Sequence, residues 1–178
     1  MRLEDEGVLL RPFEEEDVPA IVTACQDPEI PRWTSVPSPY SEADALAWLE
    51  STEETTFAVV DRSSGELLGS IGVRFLGDGV AEVGYWVKRE ARGKGAATRA
   101  LRLVARWAFE DGDLARFQLR AEPDNAASQR VAEKAGFVRE GVLRAALAVK
   151  GDRRDVVMYS LVRGDLSGPP RATTHFRA

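Results

Sequence analysis

The chain reads as an α/β domain built on a mixed sheet, and three observations predict it. A central run of strand-like segments is divided by glycine turns. A long amphipathic segment follows the last of them directly, and strands and a short helix then alternate to the end. In order, Val8-Leu9-Leu10 is a short strand closed by Arg11-Pro12. Val18, Ile21, Val22 and Cys25 place a helical stripe between Asp17 and Gln26. Pro28, Pro31, Pro37 and Pro39 mark a loop, after which Ser41 and Asp44 open a second helix with the reciprocal capping pattern. Phe57–Val60, Leu67–Phe75 and Val80–Val87 form a meander with turns at Ser63-Ser64-Gly65 and Gly77-Asp78-Gly79. A helix runs from Arg92-Gly93-Lys94-Gly95-Ala96-Ala97 to about Glu110, with Ala97, Leu101, Val104, Ala105 and Ala108 on the face turned to the sheet. Phe117–Ala121 is a strand, Ser128–Ala135 a short helix, Phe137–Val149 a strand with a break and Val156–Leu161 a last strand. From Gly164 a mobile tail is expected.

At 178 residues one domain is expected, and 44% hydrophobic residues suffice for a core. No apolar run reaches membrane-span length, and Met1–Glu6 lack a signal-peptide core, so a cytoplasmic location is expected. The one cysteine, Cys25, excludes an internal disulfide and a cysteine-based zinc site, and no metal is expected. The one histidine, His175, stands in the tail, which excludes a histidine-dependent nucleophile in the core. A net charge of −5 argues against nucleic acid as the direct partner. Residues 1–61 carry a net −12 and the remainder +7, which predicts either separate cation and anion surfaces or ordinary solvated helix faces.

The segment from Arg92 to Ala97 is the strongest local signal. Its glycines allow positive φ and close approach of the backbone to a ligand. Successive N–H groups at a helix start, with Arg92 and Lys94, suit a diphosphate. The pattern is neither a Walker A nor a Rossmann loop, and alone it reads first as a flexible turn with solvated charges.

Two motifs together resemble the GNAT N-acetyltransferase superfamily. One is the Arg-x-x-Gly-x-Ala spacing of Arg92, Gly95 and Ala97, set between a strand and a long helix. The other, thirty residues on, is the run from Asn125 to Phe137, closing in Glu133-Lys134-Ala135-Gly136-Phe137. The resemblance covers about residues 7–162. It implies a single domain over 1–163, with a mostly antiparallel mixed sheet of six to seven strands, splayed at the centre and flanked by about four helices. Ser128 three residues after Asn125, Pro39-Tyr40-Ser41, Trp48-Leu49 and Glu82-Val83-Gly84-Tyr85-Trp86-Val87 resemble the RimJ/RimL-like subgroup, which acetylates N-terminal amines of ribosomal proteins. The subgroup departs here at Arg99, usually a glutamate, and at Ala96, usually larger; both bear on acyl or acceptor choice.

The resemblance implies acetyl-CoA as co-substrate, held by Trp86, Val87, Arg92, Gly93, Lys94, Gly95, Ala96, Ala97, Thr98, Asn125 and Ser128. It also implies a primary-amine acceptor and a homodimer. A backbone N–H near Tyr85–Val87 would hold the thioester oxygen. Asn125 would hold pantetheine or water, and Ser128 would protonate the sulfur, since the family's usual tyrosine position is Ala132. Read as residues alone, Asn125 and Ser128 are good helix caps. Glu82 is the candidate base: it stands among Val80, Val83, Tyr85 and Val87, where burial raises a carboxylate's pKa, although alternate strand positions also face solvent. Trp33 and Tyr40 are candidates to line the acceptor site. The favoured acceptor is a peptide or protein N-terminus; the alternatives are a small amine (aminoglycoside or polyamine), a longer acyl donor, or a non-catalytic acyl-CoA sensor.

Overall fold

The structure, a computed structural model, describes residues 1–50, 55–111, 114–149 and 151–166. Its sheet has eight strands: β1 (Leu3–Glu4), β2 (Val8–Arg11), β3 (Thr55–Asp61), β4 (Leu67–Gly77), β5 (Val80–Val87), β6 (Arg116–Ala121), β7 (Val138–Val149) and β8 (Asp152–Val162). They lie in the order β1-β2-β3-β4-β5-β6-β8-β7. Only β5 and β6 are parallel neighbours, so the mixed, mostly antiparallel sheet is as expected, with one strand more than the upper count. The extra strand is β1, whose two residues pair with Leu9 and Leu10 and show no periodicity a sequence could reveal.

Among the described residues five α-helices complete the fold: α1 (Val18–Cys25), α2 (Glu29–Trp33), α3 (Glu42–Glu50), α4 (Ala96–Asp111) and α5 (Ala126–Ala135). The unexpected one is α2, inside the proline-rich loop. Pro31 is its third residue, where a backbone N–H has no intrahelical acceptor, so proline there sacrifices no helical bond. The expected cap of α3 is present: Ser41 N–H donates to Asp44 Oδ2, and Asp44 N–H to Ser41 Oγ.

Alternation along the strands builds two cores. Phe57, Val59, Ile71, Val73, Ala81 and Val83 face α4 and α5, and meet Leu101, Val104, Ala105 and Ala108 of the α4 stripe. Ala58, Val60 and Trp86 point the other way and pack with Ile21, Cys25, Ile30 and Ala45 of α1–α3. The sheet is thus the middle of three layers. Cys25 is the buried apolar residue its stripe predicts, and burial pushes its thiol up to about 11.

The C-terminal boundary needs correction. Arg163–Leu166 form a 3₁₀ turn in which Asp165 accepts the Val162 N–H, and Leu166 packs on the core. Ordered chain therefore extends three residues past the expected boundary; the rest of the expected tail, 167–178, lies outside the described residues. The break expected in β7 is present as register shifts after Arg139 and Leu143, with Ala145 at φ 49° and its N–H held by Asp155.

Part of the charge asymmetry is solvated helix face, as one of its two expected forms has it: Glu14, Glu15, Glu16, Glu42 and Glu50 are exposed. Three acidic side chains of the first 61 residues pair with basic ones of the remainder: Glu4 with Arg62, Asp5 with Arg99, and Asp27 with Arg89 and Arg92. Arg99, one of the two departures from the subgroup pattern, is therefore occupied by Asp5 and does not line the cleft described below.

Candidate active site

The parallel pairing of β5 with β6 stops at Val83–Leu119, so Gly84–Val87 splay away from their neighbour. Lys88 N–H donates to Leu68 O across the β4–β5 ladder. By antiparallel alternation the amides of Gly84 and Trp86 face β4, and those of Tyr85 and Val87 face the opened side. A cleft of about 1000 Å³ occupies this opening. It runs from the loop before α4, past the start of α5, to the wall formed by α2, α3 and the loop between them.

At one end the loop backbone is shaped for close approach. Gly93 and Gly95 have φ of 75° and 89°, and a Cβ added at either would meet nothing within 4 Å. The first α4 bond runs from Arg99 N–H to Gly95 O, which leaves the amides of Ala96, Ala97 and Thr98 without intrahelical acceptors. Arg92 lines the cleft, but its Nε donates to Val87 O and its Nη1 lies 2.7 Å from Asp27 Oδ2, an ion pair without hydrogen-bond alignment. The donors this end offers are mainly backbone amides. Lys94 does not line the cleft, a correction to its expected place beside Arg92: it stands between the two glycines, where their left-handed turns carry its side chain elsewhere.

Asn125 and Ser128 stand at the middle. Asn125 caps α5, its Oδ1 accepting the Ser128 N–H at 3.0 Å, so the capping reading holds for its oxygen while both residues still line the cleft. Ser128 Oγ lies 3.0 Å from the hydroxyl of Tyr85. Burial pushes the Tyr85 phenol up to about 12 against the opposing effect of that hydrogen bond. Ala132 is fully buried in the core, so no side chain reaches the cleft from that position.

At the far end Trp33, Tyr40, Asp44 and Trp48 form one wall, and Arg74, Glu82, Arg120 and Glu122 another. Glu82 lines the cleft, and its surroundings are not the apolar ones expected. Its Oε1 accepts from Arg74 at 2.9 Å and Arg120 at 2.5 Å, and its Oε2 from Gln118 at 3.1 Å. The apolar residues beside it in sequence point to the other face of the sheet, which is why sequence neighbours misjudged its environment. Three of roughly four acceptor positions on the carboxylate are taken, leaving one for an incoming N–H. Leu147–Val149 of β7 also line the cleft, and Arg154 of β8 holds Glu122 at 2.9 Å beside them.

Sequence reasoning missed Tyr85 as the partner of Ser128, the arginines around Glu82, Asp27 behind Arg92, and the β7 segment. Parity alone could have found Tyr85, because it places that side chain on the α5 face of the sheet. The others depend on register across strands distant in sequence.

A mixed sheet splayed between β5 and β6, a glycine loop before α4 and a serine in the capped first turn of α5 thus lie along one cleft. The acetyltransferase (GNAT) domain family matches residues 8–138, and the chain belongs to that family. The uncharacterised N-acetyltransferase p20 of Bacillus licheniformis is 27% identical over 173 residues, 92% of this chain and 97% of its own. The ribosomal-protein-serine acetyltransferase of Escherichia coli is 33% identical over 82 residues, 46% of each chain. Among solved structures, RimL, a ribosomal L7/L12 α-N-protein acetyltransferase in complex with coenzyme A, superposes with a TM-score of 0.78 at 22% identity, over 89% of this chain and 95% of that one. The protein is an N-acetyltransferase of the GNAT type. No helix among the described residues is long and apolar enough to cross a membrane.

Proposed function

We propose that the protein transfers the acetyl group of acetyl-CoA to a primary amine by direct attack on the thioester, with a peptide or protein N-terminus as acceptor. The single observation behind this reading is the continuous cleft that joins the glycine loop to Ser128 and then to Glu82. Acetyl-CoA fits the near end, where backbone amides and open space at Gly93 and Gly95 suit a diphosphate. An outward amide of Tyr85 or Val87 polarises the thioester oxygen, a donor of a kind worth about 3–4 kcal/mol. Asn125 anchors the start of α5, and Ser128 gives the departing sulfur its proton.

An N-terminal amine suits this site because it demands little of a base. Its pKa of about 8 leaves a neutral fraction near pH 7.5, whereas a lysine near 10.4 leaves almost none. Glu82, already accepting from two guanidiniums and an amide, orients the amine through its remaining acceptor position. Relatives named for ribosomal-protein acetylation support a protein acceptor. A cytoplasmic location and a homodimer belong to the same reading, the latter checked by light scattering.

The test is thiol release from acetyl-CoA, and from longer acyl-CoAs, across N-terminal peptides, lysine-blocked peptides, polyamines and aminoglycosides. Peptides with free N-termini are expected to give the highest kcat/KM. A preference for small amines would overturn the acceptor, and tight acetyl-CoA binding without turnover on any amine would make the domain a sensor.

A further inference from the structure

We propose that Tyr85 is a positioning residue for the proton donor, its phenol donating to Ser128 Oγ so that the serine proton is aimed at the departing sulfur. This rests on the acetyl-transfer reading above. The two side chains come from different layers: Tyr85 from the splayed end of β5, Ser128 from the first turn of α5, with 3.0 Å between their oxygens. Both line the cleft. Ser128 is fixed on the other side by its own backbone, since its N–H is held by Asn125 Oδ1. The hydroxyl pair is therefore built into the cap of α5 and the splay of the sheet together.

The direction of the bond follows from acidity. A phenol is the stronger acid of the two and donates to the alcohol oxygen, which frees the serine O–H to point into the cleft. Burial keeps the Tyr85 proton in place, so the phenol remains a donor across the working pH range. The gain is chemical as well as geometric. A serine alone is a weak acid, and a hydrogen bond received at its oxygen stabilises the charge that develops there as its proton is shared. When the adduct collapses, the C–S bond breaks with its electron pair going to sulfur. The Ser128 proton moves to that sulfur, and the proton shed by the acetylated nitrogen restores it through solvent. Net, one proton passes from nitrogen to sulfur, and Tyr85 keeps its own. With Ala132 buried in the core, the hydroxyl absent from α5 at that position is supplied from β5 instead.

The experiment is a double-mutant cycle of Tyr85→Phe and Ser128→Ala, with kcat, KM for acetyl-CoA and the melting temperature measured for each. Tyr85→Phe is expected to lower kcat about 10-fold, with acetyl-CoA affinity within about 2-fold and an unchanged melting temperature. In the Ser128→Ala background it should add almost nothing, because the oxygen it serves is gone. A merely structural tyrosine would not show the second readout: with an acetyl thioester of a more acidic thiol, which needs no proton, the Tyr85→Phe penalty should shrink toward unity. Undiminished loss in the Ser128→Ala background, or a penalty independent of the leaving thiol, overturns the proposal. So does normal turnover by Tyr85→Phe in a protein whose Ser128→Ala variant is impaired. Failure of the parent protein to bind acetyl-CoA by calorimetry would instead overturn the acetyl-transfer reading.

Discussion

The two ends of the cleft are made differently. The end at Gly93–Thr98 is backbone: a loop and a helix start within six consecutive residues, offering amides and open space. The end at Glu82 is side chains, drawn from β4, β5, β6 and the α2–α3 region and held by charge-assisted hydrogen bonds. A backbone site can be written in a short contiguous motif and tolerates change around it. A side-chain site depends on register between distant segments, and each substitution alters its charge balance. Within one GNAT domain, the backbone end is thereby fixed and the side-chain end adjustable.

The largest expected effect breaks the backbone end. Gly95→Asp puts a Cβ where φ is 89° and a negative charge where an anion is to bind, so calorimetry should detect no acetyl-CoA binding by a folded variant. Next is the junction of the two ends: Ser128→Ala should lower kcat about 10²-fold, the low end for loss of an acid, with acetyl-CoA affinity kept within a few-fold. A loss confined to KM would reduce Ser128 to part of the α5 cap.

The framing of the helical wall, α1–α3, is tested through stability. Arg11 Nη1 and Nη2 donate to Asp17 at 2.7 and 2.8 Å, and Asp17 accepts the N–H of Glu14, which caps the 3₁₀ turn leading into α1. Burial works against ionisation of Asp17, but Arg11 and that N–H outweigh it and hold the carboxyl below its usual range. Because the folded value is the lower one, the pair's contribution is complete above the unfolded value of about 3.9 and is lost as pH falls through the folded value. Asp17→Asn should cost about 3 kcal/mol near neutral pH by denaturant melts, for a largely buried pair broken on one side. The gap to the parent should close in acid.

Glu82→Gln sharpens the account of the side-chain end. It keeps the shape and leaves Arg74 and Arg120 uncompensated, so kcat/KM for amines should drop about 10-fold, as for loss of a charged hydrogen-bond partner. The acidic limb of the pH profile should persist; its disappearance would make Glu82 the proton acceptor. The smallest effect is at Asp27. Asp27→Asn releases Arg92 toward the loop, and acetyl-CoA affinity should rise a few-fold with a steeper dependence on salt, read by titration at two ionic strengths.

The pattern of what could be read beforehand follows the same division. The strand Val80–Val87, the helix after Gly95 and the cap at Asn125 were legible because each is a local event: alternation, an amphipathic stripe, a side chain bonding an amide three residues on. The two-residue strand β1 and the helix α2 were not, the first because it has no period and the second because two prolines disguise it. The surroundings of Glu82 are not legible in the sequence, since they come from Arg74, Gln118 and Arg120 across the sheet.

By itself the sequence determined the backbone devices of this acetyltransferase: the glycine loop, the α4 stripe and the Asn125 cap, all set by conformational preference and hydrogen bonding over a few residues. Only the tertiary structure decided that Tyr85 meets Ser128, that Asp27 occupies Arg92 and that two arginines take up Glu82. Those encounters depend on which face each strand residue presents and on where β5 parts from β6, quantities fixed when the whole sheet packs between its two helical layers.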